Sequence, residues 1–135
     1  MPALKAFIVE DSPVILENLV ATLEELADII VVGSVPDEAS AVRWMSHVPN
    51  AKTDIFIVDV FLKSGTGLGV LQAAQDLRVP GHRVVLTNYA TAEMRRRCAS
   101  LGAERVFDKS HELDDLITYC AELADAANQA SAAER

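Results

Sequence analysis

What this chain lacks narrows the field before any motif is read. It has two cysteines, Cys98 and Cys120, and they form no C-x-x-C pair. A disulfide framework is therefore not expected; both fall in helical patterns and read as reduced core residues, as in a cytoplasmic protein. The three histidines, His47, His82 and His111, are scattered without ligand spacing, which argues against a histidine-built metal site. Positive charge is short: 12 Lys and Arg face 20 Asp and Glu, a net charge of −8. That balance disfavours phosphate neutralisation on nucleic acid and adhesion to an anionic membrane, so neither is expected as a partner. No apolar run is long enough to span a bilayer. The stretch Ala6–Val9 is too short for a secretory signal and runs into Glu10–Asp11. The glycines of "GTGLG" (Gly65, Gly67, Gly69) lack the spacing and the following Lys-Ser/Thr of a phosphate-cradling loop. They read as a mobile turn and the start of a helix.

What is present is a regular alternation. Half of the 135 residues are hydrophobic, enough for one domain with a real core. Short apolar runs rich in Val and Ile occur at Leu4–Val9, Ile29–Val32, Ile55–Val58, Arg83–Thr87 and Arg105–Phe107. They mostly do not alternate with polar residues, as expected of parallel strands covered on both faces. Helical periods lie between and after them. The first carries Leu16, Leu19, Val20, Leu23, Leu26 and Ala27, opened by Ser12 as N-cap and Pro13. The second, about Asp37–His47, is weaker, with Ala39, Val42 and Met45 expected inward and Trp44 as a flank or core residue. The third runs from about Leu68 to Leu77, and the fourth from about Thr91 to Leu101, stopped by Gly102. The last places Leu113, Leu116, Ile117, Cys120 and Leu123 on one stripe, with Ser110 as its candidate cap. The pattern predicts a doubly wound α/β fold: a five-stranded parallel sheet with helices on both faces. Residues 1–126 form the domain, and 127–135 read as a frayed or disordered tail.

In such sheets ligands bind beyond the carboxyl ends of the strands. Glu10–Asp11 follow the first strand, Asp59 the third, Thr87 ends the fourth, and Lys109 follows the fifth. Each alone has an ordinary explanation: a helix-start acid pair, a strand-end turn acid, a structural threonine, a solvated lysine. Together they place three carboxylates, a hydroxyl and an amine on one rim. Three crowded carboxylates repel unless cations join them. A hard divalent cation suits that oxygen set, and Mg²⁺ fits best because it combines a few carboxylates with water and phosphate oxygens. Thr87 and Lys109 are then placed to hold a phosphoryl group, with Asp59 as the nucleophile that forms an acyl phosphate.

The quoted pieces "IVEDS", "IFIVDV", "VVLTNYA" and "VFDKS", in that order and spacing, resemble the response-regulator receiver domain, here of a stand-alone, chemotaxis-receiver-like kind. The resemblance covers about residues 4–125. It implies a flavodoxin-like strand order of 2-1-3-4-5 and Mg²⁺ held by Glu10, Asp11, Asp59 and the backbone carbonyl of Phe61. It also implies a phosphoryl group received on Asp59 from a histidine kinase or phosphotransfer protein, and signalling through an unknown downstream protein. Such a chain is not an enzyme on separate substrates, although it supports its own phosphoryl transfer and dephosphorylation.

The chain departs from the family's pattern in places. Val106 stands at the switch position, three residues before the lysine, where members carry Tyr or Phe coupled to the threonine. Phe107 falls on the opposite side of the strand from Val106, on that of Lys109. Ser110 replaces the usual proline, and Lys63 stands four residues after the acceptor where many members have proline. Asn88, where members usually carry a small residue, Tyr89 after it and Lys63 are expected to tune phosphoryl lifetime. Arg95–Arg96–Arg97 read either as a solvated helix face or as a partner surface, and since successive helical residues point about 100° apart they cannot all face one partner. Two alternatives remain beside the receiver reading. One is a phosphorylation-independent binding module of receiver shape, which Val106 favours. The other is a Mg²⁺-dependent phosphohydrolase, against which stands Phe61 where such enzymes place a second acid.

Overall fold

Consecutive apolar residues in a parallel strand must find cover on opposite faces of a sheet, and this requirement organises the molecule. The computed structural model describes residues 3–47 and 53–133. Five strands, β1 (Leu4–Val9), β2 (Ile29–Val35), β3 (Ile55–Val58), β4 (His82–Thr87) and β5 (Arg105–Asp108), alternate with five helices. These are α1 (Pro13–Leu26), α2 (Glu38–Ser46), α3 (Gly67–Asp76), α4 (Ala92–Ser100) and α5 (Leu113–Ala133). Every strand pairing is parallel and the order is β2-β1-β3-β4-β5, as expected. β2 runs on to Val35, past the expected end at Val32, with an irregularity in its register opposite Ala6/Phe7.

Ala6, Ile8, Ile55, Ile57, Val84, Leu86 and Phe107 face α1 and α5, where Leu19, Leu23, Leu116, Ile117 and Cys120 meet them. Their neighbours Phe7, Val9, Phe56 and Val58 face α2 and α3, against Ala41, Met45, Val70 and Ala74. Val85 and Val106 pack with Leu71 of α3 and Cys98 of α4. Val106 and Phe107 thus lie on opposite faces, as the period of two requires. A fully buried side chain such as Ile57 contributes roughly 1.5–3 kcal/mol. Trp44 stacks on Phe7 with ring centroids 4.5 Å apart, over Gly33, and is a packing residue. Both cysteines are buried and unpaired.

Four helices begin with a side-chain cap. Ser12, Asp37, Thr66 and Thr91 accept from the N–H groups of Ile15, Ser40, Gly69 and Met94. Gly102, at φ +96°, ends α4 in the left-handed conformation that a side chain would strain.

Two expectations are corrected. In α2 the buried residues are Ala41 and Met45, spaced i and i+4, while Ala39 is exposed; with alanines at both 39 and 41, the apolar pattern left the phase of the stripe open. Ser110 does not cap α5: the helix starts at Leu113, and the Ser110 N–H donates to Asp108 Oδ1 in the preceding turn. The stretch 127–135, expected as frayed helix or a disordered tail, continues α5 as far as Ala133, and residues 134–135 lie outside the described residues. The Lys109–Ser110 peptide is trans.

At the opposite end of the sheet from the acids, Glu104 joins three elements. Its Oε2 lies 2.8 Å from His82 Nδ1 and accepts from the Tyr119 hydroxyl at 2.7 Å. Burial pushes the Glu104 carboxyl up, but the Tyr119 and His82 contacts more than reverse this and hold it below the ordinary value of 4.5. The unfolded chain then binds more protons just below that value, so the stabilisation is complete above pH 4.5 and is lost as pH falls through the folded value. Glu104→Gln is expected to flatten the acid side of the stability curve, measured by urea unfolding from pH 6 to 3; an unchanged slope would exclude this role.

Gly67, the first residue of α3, packs directly under the acid rim. A Cβ there would run into the backbone carbonyl of Asp59, which cannot yield without moving the strand end. Gly→Ala inside a helix ordinarily gains roughly 0.5–1 kcal/mol. Here Gly67→Ala is expected to cost about 1–3 kcal/mol in urea unfolding, and a gain in stability would show that the rim is free to shift.

Candidate functional site at the carboxyl rim of the sheet

Three charged residues of the rim, Glu10, Asp59 and Lys109, are fastened by their backbones to the neighbouring strand. The Glu10 N–H donates to Val35 O at 3.1 Å, the Asp59 N–H to Val9 O at 2.9 Å, and the Lys109 N–H to Thr87 O at 2.9 Å. The ladder therefore continues one residue past each strand, and it delivers the side chains to a common point.

There Lys109 Nζ lies 2.6 Å from Glu10 Oε1 and 2.7 Å from Asp59 Oδ2. Glu10 and Asp59 are 4% and 5% exposed, so neither charge is tolerable without a partner. The second Glu10 oxygen accepts the Ser12 N–H at 3.0 Å, and the second Asp59 oxygen accepts the Phe61 N–H at 3.3 Å. Asp11 Oδ2 accepts the Lys63 N–H at 2.8 Å, which ties the segment after β3 to the segment after β1.

The protonation equilibria follow from this crowding. Burial raises the Glu10 carboxyl; the Lys109 ammonium and the Ser12 N–H offset only part of that rise, and Asp59 adds to it. For Lys109, burial would lower the amine, but hydrogen bonds to Asp59 and Glu10 outweigh it and the amine ends raised. The two directions agree: one ammonium gains from two carboxylates, while each carboxylate receives only a share of one ammonium.

Glu10, Asp11 and Asp59 each present an oxygen within 4.8 Å of the others. Three carboxylates against one ammonium leave the cluster formally short of two positive charges. An all-oxygen donor set with that deficit fits a hard divalent cation. The cluster opens into a cavity of about 190 Å³ lined by Glu10, Asp11, Ser12, Ile15, Asp59, Phe61, Asn88, Tyr89 and Lys109. Phe61 and Tyr89 pack edge to face at its mouth, centroids 4.9 Å apart, and remain 50% and 61% exposed.

Most residues singled out from the sequence are thus brought together, with two differences. Thr87 is fully buried and is not among the lining residues; its Oγ1 accepts the Tyr89 N–H at 3.2 Å. Lys63 reaches the site through its backbone N–H, its side chain being exposed. Sequence reasoning missed the Ser12 N–H contact to Glu10 and the wall formed by Ile15. The signal for Ser12 was its place as N-cap directly after the acid pair; nothing in the periodicity distinguished Ile15 from other outer residues of α1. Among the described residues no helix is long and apolar enough to cross a membrane.

Comparison with known proteins agrees with this geometry. A family model described as the response regulator receiver domain matches residues 6–121. The DNA-binding transcriptional activator DevR/DosR of Mycobacterium tuberculosis is 35% identical over 92 residues, 66% of this chain and 40% of that protein. The chain therefore spans well under half of that relative's length. The signal receiver domain of a NarL response regulator from M. tuberculosis superposes with a TM-score of 0.80 at 17% identity, covering 93% of this chain and 98% of that one. The receiver domain of a Luxo repressor protein from Vibrio parahaemolyticus gives 0.80 at 19% identity, covering 98% of each. The fold, the acid cluster and the match along most of the sequence lead to one conclusion: the chain belongs to the response regulator receiver domain family, the receiving module of two-component signalling.

Proposed function

We propose that this receiver accepts a phosphoryl group on Asp59, with Mg²⁺ as cofactor, from a histidine kinase or phosphotransfer protein, and signals through contact with a downstream protein. The observation that carries the reading is Lys109 held between Glu10 and Asp59 beside a third carboxylate, Asp11. Glu10, Asp11, Asp59 and the Phe61 carbonyl would hold the cation, which when bound neutralises charge on the transferring phosphoryl oxygens.

The chain's own residues do the rest. The Asp59 carboxylate attacks phosphorus in line, the P–N bond to the donor imidazole breaks, and an acyl phosphate forms on Asp59. The Lys109 ammonium, already on Asp59 Oδ2, follows the charge onto a phosphoryl oxygen. Thr87 Oγ1, buried behind the cavity wall, accepts from the Tyr89 N–H and keeps its own proton, which reaches a second phosphoryl oxygen once the segment after β4 draws inward. Asn88 and Tyr89 line the cavity, and the Phe61–Tyr89 ring pair screens its mouth from water, so these residues set how long the acyl phosphate lasts. Lys63 contributes by fixing Asp11 through its backbone. Two buried, unpaired cysteines suit a reducing, cytoplasmic setting. A phosphorylation-independent binding module is the second reading, favoured by Val106 where the family's aromatic switch would stand.

Two measurements test the proposal. Purified protein with a radiolabelled low-molecular-weight phosphodonor and Mg²⁺ is expected to take up label, and Asp59→Asn to take up none; equal labelling of both would remove Asp59 from its role. Mg²⁺ at a hundredfold excess over its Kd is expected to stabilise the fold by about 2.7 kcal/mol, read from the shift in unfolding midpoint. Asp11→Asn should lose most of that shift, whereas an identical shift in the variant would place the ion elsewhere.

A further inference from the structure

A second polar assembly lies on the α4 side of β5, and it is built on one residue of the arginine triplet. Arg96 and Arg97 are exposed, but Arg95 turns inward along the end of the sheet. Its Nε donates to the Ala90 carbonyl at 3.0 Å, its Nη1 to the Val106 carbonyl at 2.7 Å, and its Nη2 to Glu112 Oε1 at 2.7 Å. The same Glu112 oxygen accepts the Asp108 N–H at 2.9 Å. One planar guanidinium therefore fastens the segment before α4, the strand β5 and the turn before α5.

Those segments are the ones that carry the phosphoryl-holding side chains. Ala90 lies three residues beyond Thr87, and Asp108 immediately precedes Lys109. The Lys109 N–H to Thr87 O bond joins the two strands at their tips, but beyond it each segment leaves the sheet. Arg95 is the next tie between them. As a charge pair with Glu112 it is of modest strength, since the two side chains are 41% and 32% exposed. Its value is geometric: two of its three acceptors are backbone carbonyls, and only a rigid fork of N–H donors meets all three at once.

We propose that Arg95 is a positioning residue for phosphoryl binding: through Ala90, Val106 and Glu112 it ties the Thr87 segment to the Lys109 segment, so that when the Thr87 hydroxyl draws inward both donors reach one phosphoryl group. This rests on the phosphoryl-acceptor reading given above. The carboxylates that would hold the cation sit after β1 and β3, which Arg95 does not touch. Its removal should therefore separate two affinities that a general loss of structure would lower together.

The test is calorimetric titration of the full chain with Mg²⁺ alone and then, at saturating Mg²⁺, with beryllofluoride as the phosphoryl mimic. Wild-type protein is expected to bind both. Arg95→Met, which keeps the apolar stem, should hold its Mg²⁺ affinity within about twofold and weaken beryllofluoride binding roughly tenfold, the scale of one lost charge-assisted hydrogen bond. Arg95→Lys, with the charge but no fork, should recover only part of that loss. Beryllofluoride affinity unchanged in both variants would overturn the inference, as would equal losses for Mg²⁺ and beryllofluoride, which mark a residue that merely supports the fold. Wild-type protein that binds Mg²⁺ but not beryllofluoride would overturn the phosphoryl reading and this inference with it, a result distinct from both.

Discussion

A single ammonium group shared by two buried carboxylates is the constraint around which this molecule is arranged. Lys109 Nζ stands within 2.7 Å of both Glu10 and Asp59, each nearly sealed from water. Without it, two adjacent buried charges would have to protonate or force the rim open. With it, the cluster still lacks positive charge, because Asp11 adds a third carboxylate. The site is thereby left short of positive charge, a deficit that a further cation would fill. That deficit is what the cation-assisted phosphoryl transfer proposed above requires.

The topology explains how residues so far apart in sequence come together. β1 and β3 are neighbours in the centre of the sheet, so the acids that follow them emerge side by side. β4 and β5 follow on the β3 side and bring Thr87 and Lys109 to the same rim. The strands are held from both faces by apolar contacts, and their last backbone hydrogen bonds extend to the charged residues themselves. Close approach of Gly67 to the Asp59 carbonyl leaves the end of β3 no room to wander. Rigidity of the scaffold is thus concentrated where the chemistry needs position, and the exposed aromatic pair Phe61–Tyr89 lies just outside it.

Much of this was legible in the sequence because apolar runs that end abruptly on a charge mark both a strand and its functional end. Asp59 after Ile55–Val58 and Lys109 just beyond Arg105–Phe107 are read that way, and the sheet order followed once the family resemblance was in view. The illegible parts share a cause. In α2 small alanines fit either side of the helix, so the stripe's phase depended on which one met Phe56 and Val58. The inward turn of Arg95 depends on acceptors contributed by three separate segments, and no periodic pattern separates it from Arg96 and Arg97. The Thr87 hydroxyl, bound to the Tyr89 N–H in place of lining the cavity, is likewise a product of loop geometry.

The most direct measurement is chemical trapping of the phosphorylated carboxylate. Protein incubated with phosphodonor and Mg²⁺ is reduced with borohydride, which converts an aspartyl phosphate to homoserine, and its peptides are weighed. The account expects homoserine at position 59 and nowhere else. Reduction at Glu10 or Asp11, or none at all in protein that has bound Mg²⁺, would contradict it.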